Sequence, residues 1–419
     1  MKYGLIGEHL PHSFSKEIHA KIAPYTYELH ELEKHALDGF MKAKDFIAIN
    51  VTIPYKKDLI PYLDEIDENA KKIGAVNTIV NKNSKLFGYN TDFFGMKALI
   101  LKLGLDFSGK KVMILGTGGT SNTAVAVAEA LGANQIIVVS RSAKNGIITY
   151  EEAYENHADT DFIINTTPCG MFPYPDGNEM IAGTPIDLDR FPDVKGVVDA
   201  VYNPLRTHLI MNALEKGIPA EGGLYMLVAQ AVVAAEKFMD TALDPSSADR
   251  IFAEIEKNKE NIVLSGMPGS GKSTVGMQLA QMMNRKFIDT DEEIVKATGK
   301  AITDIFAEVG NDGFRKIEAE VVARVASENS GAIIATGGGA ILRDDNVRAL
   351  KRNGKIYFLN RPLENIMPTS DRPLSLDRAA LEARFRERYE RYLATADKEI
   401  VTVESPTDVA NMIKEDFLK

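Results

Sequence analysis

Ile262-Val263-Leu264-Ser265-Gly266-Met267-Pro268-Gly269-Ser270-Gly271-Lys272-Ser273-Thr274 decides the reading of the second half of this chain. Residues 262–265 read as a buried strand, and Gly266 to Ser273 satisfies G-x-x-x-x-G-K-[ST] in full. The spacing has a physical purpose. Glycines let backbone N–H groups surround phosphate oxygens, a lysine reaches the β- and γ-phosphates, and a hydroxyl suits Mg²⁺. Gly269, Ser270, Gly271, Lys272, Ser273 and Thr274 are therefore expected to hold ATP, with Ser273 on the metal and Lys272 also catalytic. Stretches 333–335 and 356–359 read as further buried strands between helices. The pattern predicts an α/β domain with a parallel sheet.

A second glycine turn lies upstream: Gly116-Thr117-Gly118-Gly119-Thr120-Ser121. It follows an apolar strand at 110–115 and precedes an alanine-rich helix at 123–131. Strands at 135–139, 161–165 and 197–199 continue the alternation. Strand, glycine loop, helix, strand is the dinucleotide-binding pattern, although Ser121 replaces the third glycine. The next strand ends in Ser140-Arg141-Ser142-Ala143-Lys144. A cofactor lacking the 2′-phosphate favours an acidic residue there, whereas Arg141 and Lys144 with hydroxyls suit NADP(H). Gly116, Thr117, Gly118, Gly119, Thr120, Ser140, Arg141, Ser142 and Lys144 are the expected cofactor residues.

The chain has 419 residues, more than one ordinary core accommodates. A polar stretch at 241–260 opens with a Pro/Ser turn, continues with a short amphipathic helix pattern and marks the main boundary. The expected organisation is α/β throughout. A substrate-binding subdomain covers 1–105, with a long apolar helix at 224–240 packing back on it, and a Rossmann-like NADP subdomain covers 106–223. A linker occupies 241–260, and a P-loop domain 261–419. A net charge of −10 argues against nonspecific nucleic-acid binding, which needs a basic surface. One cysteine, Cys169, excludes an intrachain disulfide and fits a reducing compartment. No apolar run approaches the roughly 20 residues that span a bilayer, and the N-terminus lacks a signal-peptide core. A cytoplasmic protein with neither membrane nor nucleic-acid partners is expected, and an oligomer is compatible with the sequence. His9, His12 and His19 fit no zinc spacing and are expected to be ordinary surface or pocket histidines.

Three features downstream of the P-loop bear on the phosphoryl acceptor. Asp289-Thr290-Asp291 places two carboxylates at a strand's end, one for Mg²⁺ and one for an acceptor hydroxyl. Phe314-Arg315-Lys316-Ile317-Glu318 reads as helix, with Arg315 and Glu318 as i, i+3 neighbours. Thr336-Gly337-Gly338-Gly339 follows a strand and offers backbone donors. From about residue 262 to the C-terminus this set closely resembles shikimate kinase. The resemblance implies that Asp291 binds ring hydroxyls and that Asp289 belongs to the magnesium region. It places Arg315 and Arg388 on the substrate carboxylate and Gly337, Gly338 and Gly339 along the same pocket. It makes Arg372, within Arg372-Pro373-Leu374, the lid arginine that contacts ATP and stabilises charge. The stretch 366–371 looks short for that lid, and the arginine the family usually has before it is missing.

The first half carries an ordered series of motifs: Ser13-Phe14-Ser15, Asn50-Val51-Thr52-Ile53-Pro54-Tyr55-Lys56, Ala75-Val76-Asn77-Thr78 and Gly88-Tyr89-Asn90-Thr91-Asp92. Asn165-Thr166-Thr167-Pro168, Tyr202-Asn203-Pro204 and Gly223-Leu224-Tyr225-Met226 running on to Gln230 follow. In this order they resemble shikimate dehydrogenase over residues 1–238. The resemblance implies a catalytic lysine at Lys56 with Asp92 as its partner. It places Ser13, Ser15, Thr52, Asn77, Tyr202 and Gln230 on substrate, together with Lys56 and Asp92, and Gly223 near the nicotinamide. The chemistry agrees, because hydride transfer to a ketone leaves an alkoxide that a lysine can protonate.

The two resemblances imply consecutive reactions: 3-dehydroshikimate reduced to shikimate with NADPH, then phosphorylated by ATP with Mg²⁺. Two alternatives carry different expectations. One is a quinate/shikimate dehydrogenase joined to a kinase for another hydroxy acid. The other is a non-catalytic ligand-sensing regulator, which has no need of a proton-transfer lysine.

Overall fold

A computed structural model describes residues 1–10, 13–173, 183–366, 378–401 and 405–419. The chain divides into two units, Met1–Ile255 and Glu256–Lys419. In the first unit, a six-stranded sheet has the order Tyr27–Glu31, Tyr3–Gly7, Ala48–Val51, Thr78–Lys82, Lys85–Tyr89, Glu65–Ile66. Its first three strands are parallel, and Thr78–Lys82 then runs antiparallel to Ala48–Val51. A hairpin returns the chain through Asn83 and Ser84, both at positive φ (53° and 64°). Two consecutive positive-φ residues give the turn twist that matches paired strands. Strand Tyr27–Glu31 is not evident from periodicity, because Glu28, His30 and Glu31 leave it largely polar on the sheet edge.

The second sheet of this unit is wholly parallel, in the order Ala220–Glu221, Gly196–Asp199, Phe162–Asn165, Lys111–Leu115, Gln135–Val139. Helix Gly119–Ala130 begins four residues earlier than the apolar pattern suggests, because the glycine loop itself forms the first turn, with Gly118 at the N-cap. Helix Leu224–Met239 packs back on helix Thr91–Lys102, where Val228, Ala231 and Val232 share one core with Met96, Leu99 and Ile100. The stretch expected as a linker is largely helix Ser247–Lys259. Its Ile251, Phe252 and Ile255 are buried in that same core. Phe252 meets Tyr225 edge-on at 5.3 Å, and Lys102 lies over the Tyr225 ring while pairing with Asp249 at 3.1 Å. Most of the segment is thus part of the first unit rather than a spacer.

The second unit is a five-stranded parallel sheet ordered Phe287–Asp289, Ile333–Ala335, Asn261–Ser265, Gly354–Asn360, Lys398–Val401. Both faces are covered by helices, which explains the near-continuous apolar strands. Among the described residues no helix is long and apolar enough to cross a membrane.

His19 is neither a surface nor a pocket residue. It is 1% exposed, stacked on Tyr27 at 3.9 Å, with Nδ1 2.7 Å from the Tyr25 hydroxyl. His12 lies outside the described residues. Burial pulls the His19 imidazole down from 6.5 to about 3. The unfolded imidazole therefore gains a proton between pH 7 and 5 while the folded one does not, so the first unit loses stability as pH falls through 6.5. The expected loss at pH 5 is about 2 kcal/mol. Urea midpoints at both pH values, followed by dehydrogenase activity, should show it. In His19→Gln the difference should shrink by most of that amount; an unchanged pH slope would refute the assignment.

Candidate active sites

In the first unit the substrate-motif residues come from separate elements, and contacts join Lys56 with Asp92, Asn77 with Gln230, and Phe14 with Tyr202. Lys56 lies in the turn after strand Ala48–Val51, and its carbonyl accepts from Val76 N–H at 2.8 Å. Its Nζ donates to Asp92 Oδ2 at 2.6 Å. Asp92 sits in the first turn of helix Thr91–Lys102, capped by Asn90, and is 6% exposed. Asn77 is held on both ends of its amide. Its Oδ1 accepts from Thr91 N–H at 2.7 Å and from the Thr78 and Thr91 hydroxyls at 3.1 and 3.2 Å. Its Nδ2 donates to Gln230 Oε1 at 3.0 Å, tying the substrate motif to helix Leu224–Met239. Asn50, absent from the expected set, braces this arrangement. Its Nδ2 donates to the Thr78 hydroxyl at 3.0 Å, and its Oδ1 accepts from Tyr27 at 2.7 Å.

Ser13 and Ser15 flank the start of helix Ser15–Ile22, and the Ser13 hydroxyl accepts from Ser15 N–H at 3.3 Å. Phe14 between them meets the Tyr202 ring edge-on at 5.2 Å, which brings the distant Tyr202 loop to this motif. Burial raises the Tyr202 phenol above its ordinary range. Thr52 follows strand Ala48–Val51, its N–H bonded to the Ile6 carbonyl at 3.0 Å.

The expected NADP residues leave the second sheet from neighbouring strand ends. Leu115 pairs with Val139, so the loops beginning at Gly116 and Ser140 emerge side by side. Gly116 has φ +104°, and a Cβ there would stand 2.9 Å from the Thr166 hydroxyl. Only glycine suits that backbone and that approach. Thr117 and Gly118 lead into the helix, whose first turn contains Gly119 and Thr120. Arg141, Ser142 and Lys144 are exposed. Gly223 caps helix Leu224–Met239, its N–H bonded to the Val201 carbonyl at 2.8 Å.

In the second unit a cleft of about 720 Å³ opens at the carboxyl ends of four adjacent strands. Strand Asn261–Ser265 delivers the P-loop. Strand Phe287–Asp289 delivers Asp289 and Asp291, and Ile333–Ala335 delivers Gly337 to Gly339. This is where ligands bind in open parallel sheets. Lys272 is 8% exposed, and its Nζ donates to the Gly266 and Met267 carbonyls, both at 3.0 Å. The Ser273 hydroxyl donates to Asp289 Oδ2 at 2.7 Å, while Asp289 Oδ1 accepts from Asp291 N–H at 2.9 Å. This oxygen set, beside the P-loop, fits Mg²⁺. Gly269, Gly271 and Thr274 line the same cleft, and the Ser270 hydroxyl is buried without a hydrogen-bond partner among the described residues.

On the opposite side Arg315 pairs with Glu318, which is 1% exposed. Burial raises the Glu318 carboxyl, opposed by the Arg315 guanidinium. Arg388 Nη1 donates to the Gly338 carbonyl at 3.3 Å, the Tyr392 hydroxyl donates to the same carbonyl, and Arg388 Nε is buried without a hydrogen-bond partner among the described residues. The three glycines leave this space open. A Cβ at Gly337 would stand 2.6 Å from Asp291 Oδ1, one at Gly338 2.8 Å from the Pro268 ring, and one at Gly339 would overlap the Arg315 guanidinium. Arg372 and the stretch 367–371 lie outside the described residues. Arg361, Arg384 and Glu318 also line the cleft and were not among the expected site residues. Their sequence signal was weak, since Arg384 and Arg388 belong to a helix dense in charge.

The comparisons with known proteins divide at the same place. Residues 5–79 match the model of the shikimate dehydrogenase substrate binding domain, and residues 268–417 match that of shikimate kinase. A shikimate dehydrogenase (NADP(+)) of Clostridium beijerinckii is 35% identical over 271 residues, covering 61% of this chain and 97% of the relative. The crystal structure of a chorismate mutase/shikimate 5-dehydrogenase fusion protein from Clostridium acetobutylicum is 34% identical, with a TM-score of 0.56, covering 61% of this chain and 97% of that one. Shikimate 5-dehydrogenase from Thermus thermophilus, solved with NADP(H) and shikimate, is 26% identical with a TM-score of 0.53, covering 61% of this chain and 99% of that one. The chain therefore belongs to the shikimate dehydrogenase family over its first unit and carries a shikimate kinase domain in its second.

Proposed function

We propose that the first unit reduces 3-dehydroshikimate to shikimate with NADPH and that the second transfers the γ-phosphoryl of ATP to the shikimate 3-hydroxyl. The chain is an oxidoreductase and a kinase in one polypeptide, using NADP(H) and ATP. The finer reading is supported by the Lys56–Asp92 pair in the first unit and by the P-loop cleft of the second, which Asp289, Asp291, Arg315 and Arg388 line.

In the redox step NADPH, when bound, would supply the hydride for the carbonyl carbon. Lys56 supplies the proton to the carbonyl oxygen, held for it by Asp92 at 2.6 Å. Asn77 and Gln230 bind ring hydroxyls and fix the face presented to the cofactor, with Ser13, Ser15, Thr52 and Tyr202 closing the pocket. Gly116 to Thr120 and Gly223 hold the dinucleotide, while Ser140, Arg141, Ser142 and Lys144 take the 2′-phosphate. In the kinase step Arg315 and Arg388 take the substrate carboxylate, for which guanidinium forks are suited. Asp291 orients the attacking hydroxyl beside Gly337. Lys272 neutralises the transferring phosphoryl group, with Arg372 as the lid's contribution. Ser273 and Asp289 would hold Mg²⁺, which neutralises developing charge on the phosphates. Phosphoryl transfer needs mainly positioning and electrostatics, and these groups supply both.

The test is one tube containing protein, 3-dehydroshikimate, NADPH, ATP and Mg²⁺, read by mass spectrometry. Shikimate 3-phosphate is the expected product. Accumulated shikimate would refute the kinase assignment, and unchanged 3-dehydroshikimate would refute the dehydrogenase assignment.

A further inference from the structure

Strand Gly354–Asn360 runs beside Asn261–Ser265 in parallel register, with Phe358 opposite Ser265. Its carboxyl end therefore reaches the P-loop from the side, and Arg361 is the first residue beyond it. Arg361 lines the same cleft as Lys272 and Ser273. Its Nη1 lies 3.8 Å from the point a Cβ on Gly271 would occupy, so the guanidinium faces the phosphate-binding backbone. Two donors there have no hydrogen-bond partner among the described residues: Arg361 Nε and the Ser270 hydroxyl, both buried. Buried donors without acceptors are costly to keep. The acceptor chemistry that satisfies a guanidinium and a hydroxyl beside a glycine loop is anionic oxygen.

We propose that Arg361 binds the phosphate oxygens of the nucleotide donor, opposing Lys272 across the P-loop. Lys272 belongs to the loop itself, whereas Arg361 arrives from the neighbouring strand. Its position consequently depends on the register between the two strands. The inference rests on the kinase reading of the second unit. It adds a residue that neither the P-loop motif nor the lid stretch supplies. A guanidinium also presents a rigid planar fork to two phosphate oxygens, where an ammonium acts as a compact point charge.

The full-length chain should be compared with Arg361→Ala, Arg361→Gln and Arg361→Lys. One readout is displacement of a fluorescent ATP analogue by inorganic tripolyphosphate, which has phosphates and no adenine. The others are KM for ATP, KM for the acceptor, and the dehydrogenase rate. In Arg361→Ala and Arg361→Gln the tripolyphosphate Kd and the KM for ATP should both rise about ten- to a hundredfold. The acceptor KM and the dehydrogenase rate should stay unchanged, and Arg361→Lys should recover part of the loss. Tripolyphosphate binding within about twofold of wild type in a folded variant would overturn the inference. So would a loss that follows the acceptor KM or appears only with adenine-containing ligands. Glutamine keeps most of the side chain's length should alanine disturb the strand end. A wild-type chain that binds tripolyphosphate but phosphorylates no acceptor would overturn the kinase reading instead, leaving the Arg361 comparison readable.

Discussion

Lys272→Ala should abolish phosphorylation while the reduction of 3-dehydroshikimate continues at its wild-type rate. Lys272 is almost fully buried, and its Nζ rests on the Gly266 and Met267 carbonyls at 3.0 Å. Those contacts hold the ammonium at the mouth of the loop, where phosphoryl charge would develop. Removing a preorganised group of this kind costs about 10²–10³ in kcat, and a full positive charge on a transferring phosphoryl group sits at or above that range. The loss should fall on kcat as well as on KM for ATP, because the charge is greatest in the transition state. Separate assays of NADPH oxidation and of ADP release check it. Loss of both activities in a folded variant would sink the model of independent sites.

The complementary variant, Lys56→Ala, should silence the redox step and spare the kinase. Acid–base assistance of this kind contributes about 10²–10⁴ in rate. Lys56 is more exposed than its partner, with side chains 24% and 8% exposed for Lys56 and Asp92. Solvent can thus hydrate a charged Lys56, but Asp92 in the helix's first turn depends on the lysine for a counter-charge. Removing the ammonium therefore leaves a nearly buried carboxylate without its paired cation, where the proposed proton donor stood. A variant that retains more than about a tenth of kcat would show that another group delivers the proton. Asp92→Asn separates positioning from proton supply, since it keeps the shape and removes the charge. It should reduce kcat less than Lys56→Ala does.

Much of the fold was legible because its strands are buried on both faces. Apolar runs such as 111–115, 162–165 and 261–265 announce themselves without context. Both glycine loops were legible for a related reason: a backbone that must approach phosphate restricts residue choice locally. Edge elements were not. Strand Tyr27–Glu31 is polar, and Lys398–Val401 shows only one buried residue, Ile400. Their pairing is decided by the neighbouring strand, not by their own pattern. The helix at 247–259 was legible as amphipathic. Its apolar stripe, Ile251, Phe252 and Ile255, found its partner only in the core around Tyr225.

The candidate sites divide along the same line. Residues within contiguous motifs were expected from the order of the motifs and the family resemblances those motifs carry. The Asn50 brace behind Asn77 could not be read that way, since it joins residues whose separation in sequence says nothing of their contact. Nor could the packing of Gly339 against Arg315, which depends on a helix crossing a strand end. His19 looked like any polar residue of an N-terminal segment until Tyr25, Tyr27 and Phe238 closed over it. By itself the sequence determined the two α/β units and the two glycine loops, because these depend on local backbone chemistry and apolar periodicity, and its ordered motifs carried the resemblance to both families. Tertiary structure alone decided which charges became buried and which donors were left without partners. It also decided which residue beyond a strand end faces the P-loop, because parallel register sets what stands beside what.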